Sequence, residues 1–427
     1  EDSAGLIDSQ GFLDSLLRES GASKSFKDGW RIFDGSSIEI HDFELNLFTK
    51  DQRTRSIPFK FESPFLPYDI NVLIGPNGIG KSYSIKSLVE YWLKTGIGDP
   101  EKLNSLGHRP FDKAPNFRNL ILVSYSPFEE FELDLEQHRL QDKQAYAYFG
   151  FRHKRPDGSI GINRNLPAYH SALSLIKAVY DDAKFDFIKS RVQKLITLKT
   201  AINSAFEFES LAVEVKDPSK LGLLSLQLKD IGGKKYLYLD SEIPQLVSQE
   251  SLVEACELEK GVIFIKDEAL CALSSGQRLF TYIAINVVGE LKENSLVVID
   301  EPELFLHPTL EIEFVSLLKT VLEPFKSKAI LATHSLAVVR EVPSRCVHIF
   351  RDEGHGLDVV SPPFETFGGD IQRISSYVFG DRSVTKPFED FLIEQSKTYS
   401  SDELIKLLGN EINEEMTMAI MRLGRHS

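Results

Sequence analysis

Cysteine is scarce. Three occur among 427 residues, Cys256, Cys271 and Cys346, widely spaced and without a CxxC pair. Neither a disulfide framework nor a cysteine-based zinc site is supported, and a reducing, cytoplasmic compartment is expected. Positive charge is also in deficit, with 49 Lys+Arg against 63 Asp+Glu and a net charge of −14. A coat that neutralises phosphate along its whole surface needs the opposite balance, so any nucleic-acid contact must be a local basic patch. No apolar run approaches the roughly 18 residues of a membrane span, and the opening EDSAGLIDSQGF lacks the basic and apolar regions of a leader. What is present is globular chemistry. Hydrophobic residues at 42% and charged residues at 26% exclude disorder, and no internal repeat occurs. At about 150 residues per domain, two or three units are expected.

Periodicity gives the order of elements. GFLDSLLRES reads as a short amphipathic helix in an N-terminal arm, residues 1–35. IEIHDFELNLF alternates as a strand, with FKFESPF as its partner beyond a charged turn, and INVLIG is a buried strand that breaks into a glycine loop and the helix SYSIKSLVEYWLKTG. NLILVSYS is a further strand, and YAYFGFRHKRPDGSIGI reads as a hairpin around Pro156-Asp157-Gly158. A long helical period follows over about 171–206, then a hairpin in LLSLQLKDIGGKKYLYL around Gly232-Gly233, then the strand GVIFIKD. From Leu273 helices and strands alternate through SLVVID, KAILATH and CVHIFR, which implies an α/β sheet, partly parallel. Beyond about residue 362 the chain reads as helical and polar, with Met416, Met418 and Met421 near its end.

Four segments carry chemistry. GPNGIGKS, Gly75 to Ser82, satisfies GxxxxGK[ST] between a strand and a helix. Backbone amides of Asn77, Gly78 and Gly80 would hold phosphate oxygens, Lys81 would place a cation on the β/γ-phosphates, and the Ser82 hydroxyl would ligate Mg²⁺. SLVVIDEPE ends an apolar strand in Asp300, which delivers a carboxylate beside the magnesium, while Glu301 would orient or deprotonate the attacking water. LSSGQ, Leu273 to Gln277, opens a helix upstream of Asp300, and His334 ends the strand ILATH downstream of it.

In this order the segments resemble ABC-type ATPases. LSSGQ is similar to that family's LSGGQ signature, and IDEPELFLHP followed by ATHS is similar to its RecF/SMC/OLD branch. The resemblance implies an α/β ABC-type P-loop ATPase head with a mixed sheet, residues 36–135 and 260–360. It also implies an inserted helical and β lobe, 136–259, and a short C-terminal helical tail, 361–427. It implies ATP and Mg²⁺ as cofactors and a homodimer that sandwiches ATP, with higher assemblies of dimers open. Ser274, Gly276 and Gln277 would then meet the γ-phosphate held by the other subunit's loop, and His334 would be the switch histidine. Where the family has its Q-loop glutamine this chain has VSYSPFEEF, and Ser124, Ser126 or Glu129 would have to replace it.

Overall size, the SPFEEF loop, LSSGQ and the tail segment TFGGDIQRISSYVFG further resemble the PtuA family of Septu antiphage ATPases, also found beside retrons. That resemblance implies a separate HNH nuclease subunit, PtuB-like, under the control of an ATP-driven switch. Two other functions stay open. One is a RecF-like clamp on duplex DNA, for which His153 to Arg155, Arg152 and Arg164 beside Tyr148, Phe149 and Phe151 are the basic candidates; the other is a non-hydrolysing, ATP-bound scaffold. No membrane partner is expected.

Overall fold

The computed structural model describes residues 39–49, 53–134, 145–184, 192–352, 354, 356–380, 387–412 and 414–423. The N-terminal arm and its amphipathic helix lie outside the described residues. Two compact units are distinguished, residues 1–374 and 375–427.

The first unit is built on a mixed α/β sheet of seven strands. In chain order these are β3 (Ile70–Ile74), β4 (Leu120–Ser124), β5 (Tyr146–Gly150), β13 (Leu296–Asp300), β14 (Lys328–Thr333), β15 (Val347–Asp352) and β16 (Leu357–Val360). Their spatial order is β16-β15-β3-β14-β13-β4-β5, parallel except for the antiparallel edge pair β15–β16. Strands β3, β4 and β13 are buried along their whole length, which is why they read as continuous apolar runs rather than alternations. Tyr146–Gly150, expected to pair within a hairpin, instead lies parallel to β4. The hairpin itself is shorter, β6 (Arg152–Lys154) against β7 (Ile160–Ile162).

A two-stranded ribbon, β1 (Phe43–Phe48) with β2 (Thr54–Phe59), covers part of the core. Its second strand starts at Thr54, ahead of the FKFESPF expected from alternation. The chain leaves the ladder at Lys60 because the Asp42 carboxylate accepts from the Phe61 and Glu62 amides at 2.6 and 3.0 Å and from Lys60 Nζ at 3.0 Å. Aromatic rings fill the space beneath, with Phe43 and Phe59 centroids 5.1 Å apart and Trp92 and Phe117 4.7 Å apart.

Helix α1 (Lys81–Leu93) follows β3 directly. The expected long helix of 171–206 is two helices among the described residues, α2 (Leu166–Lys184) and α3 (Lys194–Asn203). Asp182 of α2 accepts from the Lys194 and Leu195 amides at 2.8 and 2.9 Å, supplying the first turn of α3 with the acceptors its own sequence lacks. Both pack on α4 (Ser275–Glu290). Lys177 pairs with Glu290 at 2.6 Å, and the buried Lys194 ammonium joins Asp181 at 2.9 Å and the Gly289 carbonyl at 2.7 Å. Gly289 is required for this approach, since a Cβ there would lie 2.7 Å from Ser174 Cβ.

A second sheet, five-stranded and antiparallel in the order β12-β11-β8-β10-β9, is made of β8 (Ser210–Glu214), β9 (Lys229–Ile231) and β10 (Lys234–Tyr238), within the expected insertion of 136–259, and of β11 (Ile263–Lys266) and β12 (Ala269–Leu270), which follow it in the chain. The second unit holds the helices Pro387–Gln395, Ser401–Leu408 and Glu414–Leu423 around Leu392, Leu404 and Ile420. Among the described residues no helix is long and apolar enough to cross a membrane.

Candidate nucleotide-binding site

The loop after β3, the ends of β13 and β14 and the segment after β4 all emerge at the carboxyl edge of the sheet, where open α/β sheets place their ligands. Because β14 lies between β3 and β13, the residue that follows it, His334, comes between the Gly75–Ser82 loop and Asp300.

Gly75 packs against the backbone of β15, where a Cβ would stand 2.3 Å from the Phe350 carbonyl, and Gly78 and Gly80 take positive φ of 73° and 114°. Gly80 is the N-cap of α1 and gives it no side-chain cap, so the first-turn amides have no side chain competing for them. Lys81 is 4% exposed and its ammonium curls into the loop, donating to the Gly75 and Pro76 carbonyls at 3.0 and 3.1 Å and lying 2.9 Å from His334 Nε2. Burial draws it below the usual ammonium range, against the opposing pull of Glu301, Asp300, Glu303 and Glu129.

Asp300 is 1% exposed. Ser82 Oγ lies 3.3 Å from its Oδ1, while Oδ2 is buried without a hydrogen-bond partner. Burial pushes its carboxyl up to about 8, and the Glu129 and Glu301 carboxylates add to the shift. An orphaned carboxylate oxygen and neighbouring anions with too little cation among them are what a divalent cation beside Ser82 would satisfy, so the residues fit magnesium. Among the described residues no three His, Cys, Asp or Glu side chains close a metal site by themselves. The cation would draw its other ligands from phosphate and water, as Mg²⁺ commonly does.

Glu301 sits in the left-handed region, φ 49° and ψ 56°, a conformation costing a non-glycine residue about 1 kcal/mol or more. Its amide donates to the Ala332 carbonyl at 2.8 Å, and Oε1 stands 3.6 Å from His334 Nε2; its carboxyl is held below the usual range despite burial, by His334 when that nitrogen carries a proton and by Lys81. Glu303 accepts from the His334 amide and is pushed up by burial. Ser335 donates to Glu311 and accepts from the Val338 amide, so the chain is pinned on both sides of the histidine.

Of the three replacements considered for the Q-loop glutamine, Ser124 is buried in β4, with its Oγ unpartnered, and Ser126 is also buried. Glu129 reaches the site, its carboxyl raised by burial and by Glu301 against the opposing pull of Ser82, Arg152 and Lys81. Arg152, grouped by sequence with the basic surface cluster, is corrected here: it is 9% exposed and donates to the Glu129 carbonyl, so it is not a surface cation. Lys154, Arg155 and Arg164 remain exposed.

The signature segment stands apart. Ser274 caps α4, its Oγ accepting from the Gln277 amide at 3.2 Å while Gln277 Oε1 accepts from the Ser274 amide at 3.0 Å. Among the described residues, no hydrogen bond or ion pair joins Ser274, Gly276 or Gln277 to the loop of the same chain. The structure therefore brings together Lys81, Ser82, Asp300, Glu301 and His334, and leaves the signature residues elsewhere. Sequence reasoning missed Glu303 and the anchoring of Glu129 by Arg152; the repeated acidic residues of DEPE were a signal for the first, and nothing local signalled the second.

A mononucleotide loop at the carboxyl edge of a parallel sheet, faced by a strand-tip aspartate, defines a P-loop ATPase domain. The chain belongs to the family described as AAA domain, putative AbiEii toxin, Type IV TA system, which matches residues 70–340. It is 26% identical over 377 residues to Protein ea59 of Escherichia phage lambda, a match covering 86% of this chain; the chain spans 65% of that relative's length. Among solved structures it is similar to the SmcHead bound to the C-winged helix domain of ScpA, with TM-score 0.37, 13% identity, and coverage of 76% of this chain and 97% of that one. It is also similar to Stu0660 of Streptococcus thermophilus, with TM-score 0.32, 11% identity, and coverage of 84% and 86%.

Proposed function

We propose that the protein binds and hydrolyses ATP with Mg²⁺ and acts as a nucleotide-driven switch, two copies closing on two nucleotides so that Ser274, Gly276 and Gln277 of each serve the other's loop. The observation that carries the reading is the convergence of Lys81, Ser82, Asp300, Glu301 and His334 at neighbouring strand ends. In it, Lys81 exchanges its loop carbonyls for β/γ-phosphate oxygens, Ser82 and Asp300 hold the cation, and the ionised Glu301 orients water and accepts its proton. Held by Ser82 and Asp300, the cation would supply positive charge against that developing on the phosphate. Closed and open dimers differ in nucleotide contacts, and only that difference can drive a partner. The partner proposed, from the Septu resemblance, is a separate HNH nuclease in an antiphage complex.

Phosphate release by wild type, Lys81→Ala and Glu301→Gln tests the enzymatic part. Release abolished in both variants is expected; equal rates in wild type and Glu301→Gln would remove Glu301 as the base, and no release from wild type with tight ATP binding would leave a scaffold.

A further inference from the structure

Arg152 is a nearly buried guanidinium on a hairpin that belongs to no catalytic strand, yet it donates to the main-chain carbonyl of Glu129. The Glu129 carboxyl faces the same group, close enough to feel Ser82, Glu301 and Lys81, and Ser82 Oγ lies 3.3 Å from Asp300 Oδ1. The loop is held before Glu129 by the buried Tyr125 and Ser126 and after it by the Tyr146 hydroxyl, which donates to the Glu132 carbonyl at 2.6 Å, while Arg152 grips the main chain at Glu129 itself. Phe128 beside it is 89% exposed, and Glu130 on its other side reaches outward to Lys86 at 3.7 Å. The inward turn of Glu129 is thus fixed at Arg152 and at Phe131, which is buried in the core. The Arg152 charge also lies near the Glu129 carboxylate, so it steadies an anion in a group otherwise crowded with Asp300 and Glu301.

We propose that Arg152 is a positioning residue of the nucleotide site: by holding the Glu129 main chain it sets the Glu129 carboxylate against Ser82, where a nucleotide-bound divalent cation is ligated. The proposal rests on the reading of Lys81, Ser82 and Asp300 as that site. Arg152 touches neither nucleotide nor cation; it acts through Glu129. A bent loop carrying one inward carboxylate between two outward residues loses its register when its anchor is removed, and the cation loses a ligand while the phosphates keep theirs.

The full chain tests this with a fluorescent ATP analogue, measured in EDTA and across a MgCl₂ titration, with Mn²⁺ occupancy by EPR and amide exchange over residues 126–131. Arg152→Met should bind the analogue in EDTA as wild type does, exchange faster over 126–131, and need about ten-fold more Mg²⁺ or Mn²⁺ for half-saturation, as loss of an outer-shell partner commonly costs. Arg152→Lys should recover part of that shift. Glu129→Gln should show a similar shift, and adding Arg152→Met to it should add nothing. An unchanged metal requirement in Arg152→Met, or a further rise in the double variant, would overturn the proposal. If Arg152→Met does not fold, Arg152→Lys decides: a metal requirement equal to wild type overturns it. Analogue binding by Lys81→Ala equal to wild type would instead bring down the site reading itself, and this proposal with it.

Discussion

Lys81 Nζ lies 2.9 Å from His334 Nε2, joining the phosphate loop to the end of β14 across 253 residues of chain. An ammonium can only donate, so the imidazole accepts through Nε2 and keeps its proton on Nδ1 while this contact lasts. Glu301 Oε1 waits 3.6 Å from the same nitrogen. One nitrogen cannot accept from Lys81 and donate to Glu301 together. On the proposed reading, a phosphate that draws Lys81 away would free His334 to turn its donor on Glu301 or on the phosphate, which would couple nucleotide binding to preparation of the proposed base.

Removing the competitor should separate binding from turnover. In His334→Ala, Lys81 has one fewer group to release, so affinity for a non-hydrolysable ATP analogue should rise about five-fold, the worth of a net hydrogen bond of about 1 kcal/mol. Phosphate release should fall about 100-fold, as expected for loss of a positioned proton carrier. Titration calorimetry and a phosphate-release assay give the two numbers. A weaker affinity would mean that His334 assists Lys81 and does not compete with it.

Glu301, the proposed base, sits on a strained backbone. Glycine accepts φ 49° without a Cβ penalty, and Glu301→Gly also removes a carboxylate from beside Asp300. After the entropy that glycine costs in the unfolded chain, a net gain of about 1 kcal/mol is expected, with hydrolysis lost. Glu301→Ala keeps the strained φ and should gain less. Urea denaturation of the three proteins checks this, and a Glu301→Gly variant less stable than Glu301→Ala would show that the turn is not strained.

The site was legible wherever chemistry and strand ends coincide: Lys81, Ser82, Asp300, Glu301 and His334 each end or follow a fully buried, mostly apolar strand, and such strands announce themselves. Contacts between distant loops were not, which is why Glu129 stood beside two serines as an alternative and Arg152 passed for a surface cation. Elsewhere the period misled. LLSLQL alternates as a strand would, but the segment Pro218–Gln227 is a 3₁₀ turn system, buried at Leu221 and Leu224 and exposed at Leu223 and Leu226, so its true period is three. Asp217 caps its start through the Ser219 amide at 3.1 Å, and Gly222, at φ 53° and ψ −125°, breaks it in the middle.

Ser274 and Gln277 close a capping box on the surface of their own chain, and in the proposed sandwich they would meet the nucleotide of a second subunit. Mixing Lys81→Ala with Ser274→Ala chains should restore one composite site and a fraction of wild-type phosphate release, although each variant alone is inactive. Glu301→Gln with ATP should run at twice the monomer mass by light scattering. An unchanged monomer, together with no recovery on mixing, would sink the sandwich and leave LSSGQ as a helix cap.

Two histidines outside the site make stability depend on pH. His348 is buried, with Nε2 2.9 Å from Asn71 Oδ1 and its ring edge-on to Phe59, and burial pulls it from 6.5 down to about 3. His170 packs against Phe149 with a buried, unpartnered Nδ1, and burial pulls it to about 4. Both must stay neutral in the folded state, while the unfolded chain takes up protons near 6.5. Their contribution is therefore intact above pH 6.5 and is lost as pH falls through the window toward 4, by about 1.4 kcal/mol per pH unit for each histidine. His348→Gln retains a donor for Asn71 but cannot titrate. It should be less stable than wild type at pH 7.5 and lose about 1.4 kcal/mol per unit less on acidification from pH 6 to 5, in urea midpoints converted with a common m-value. Parallel pH profiles for the two proteins would mean that His348 takes up its proton without unfolding.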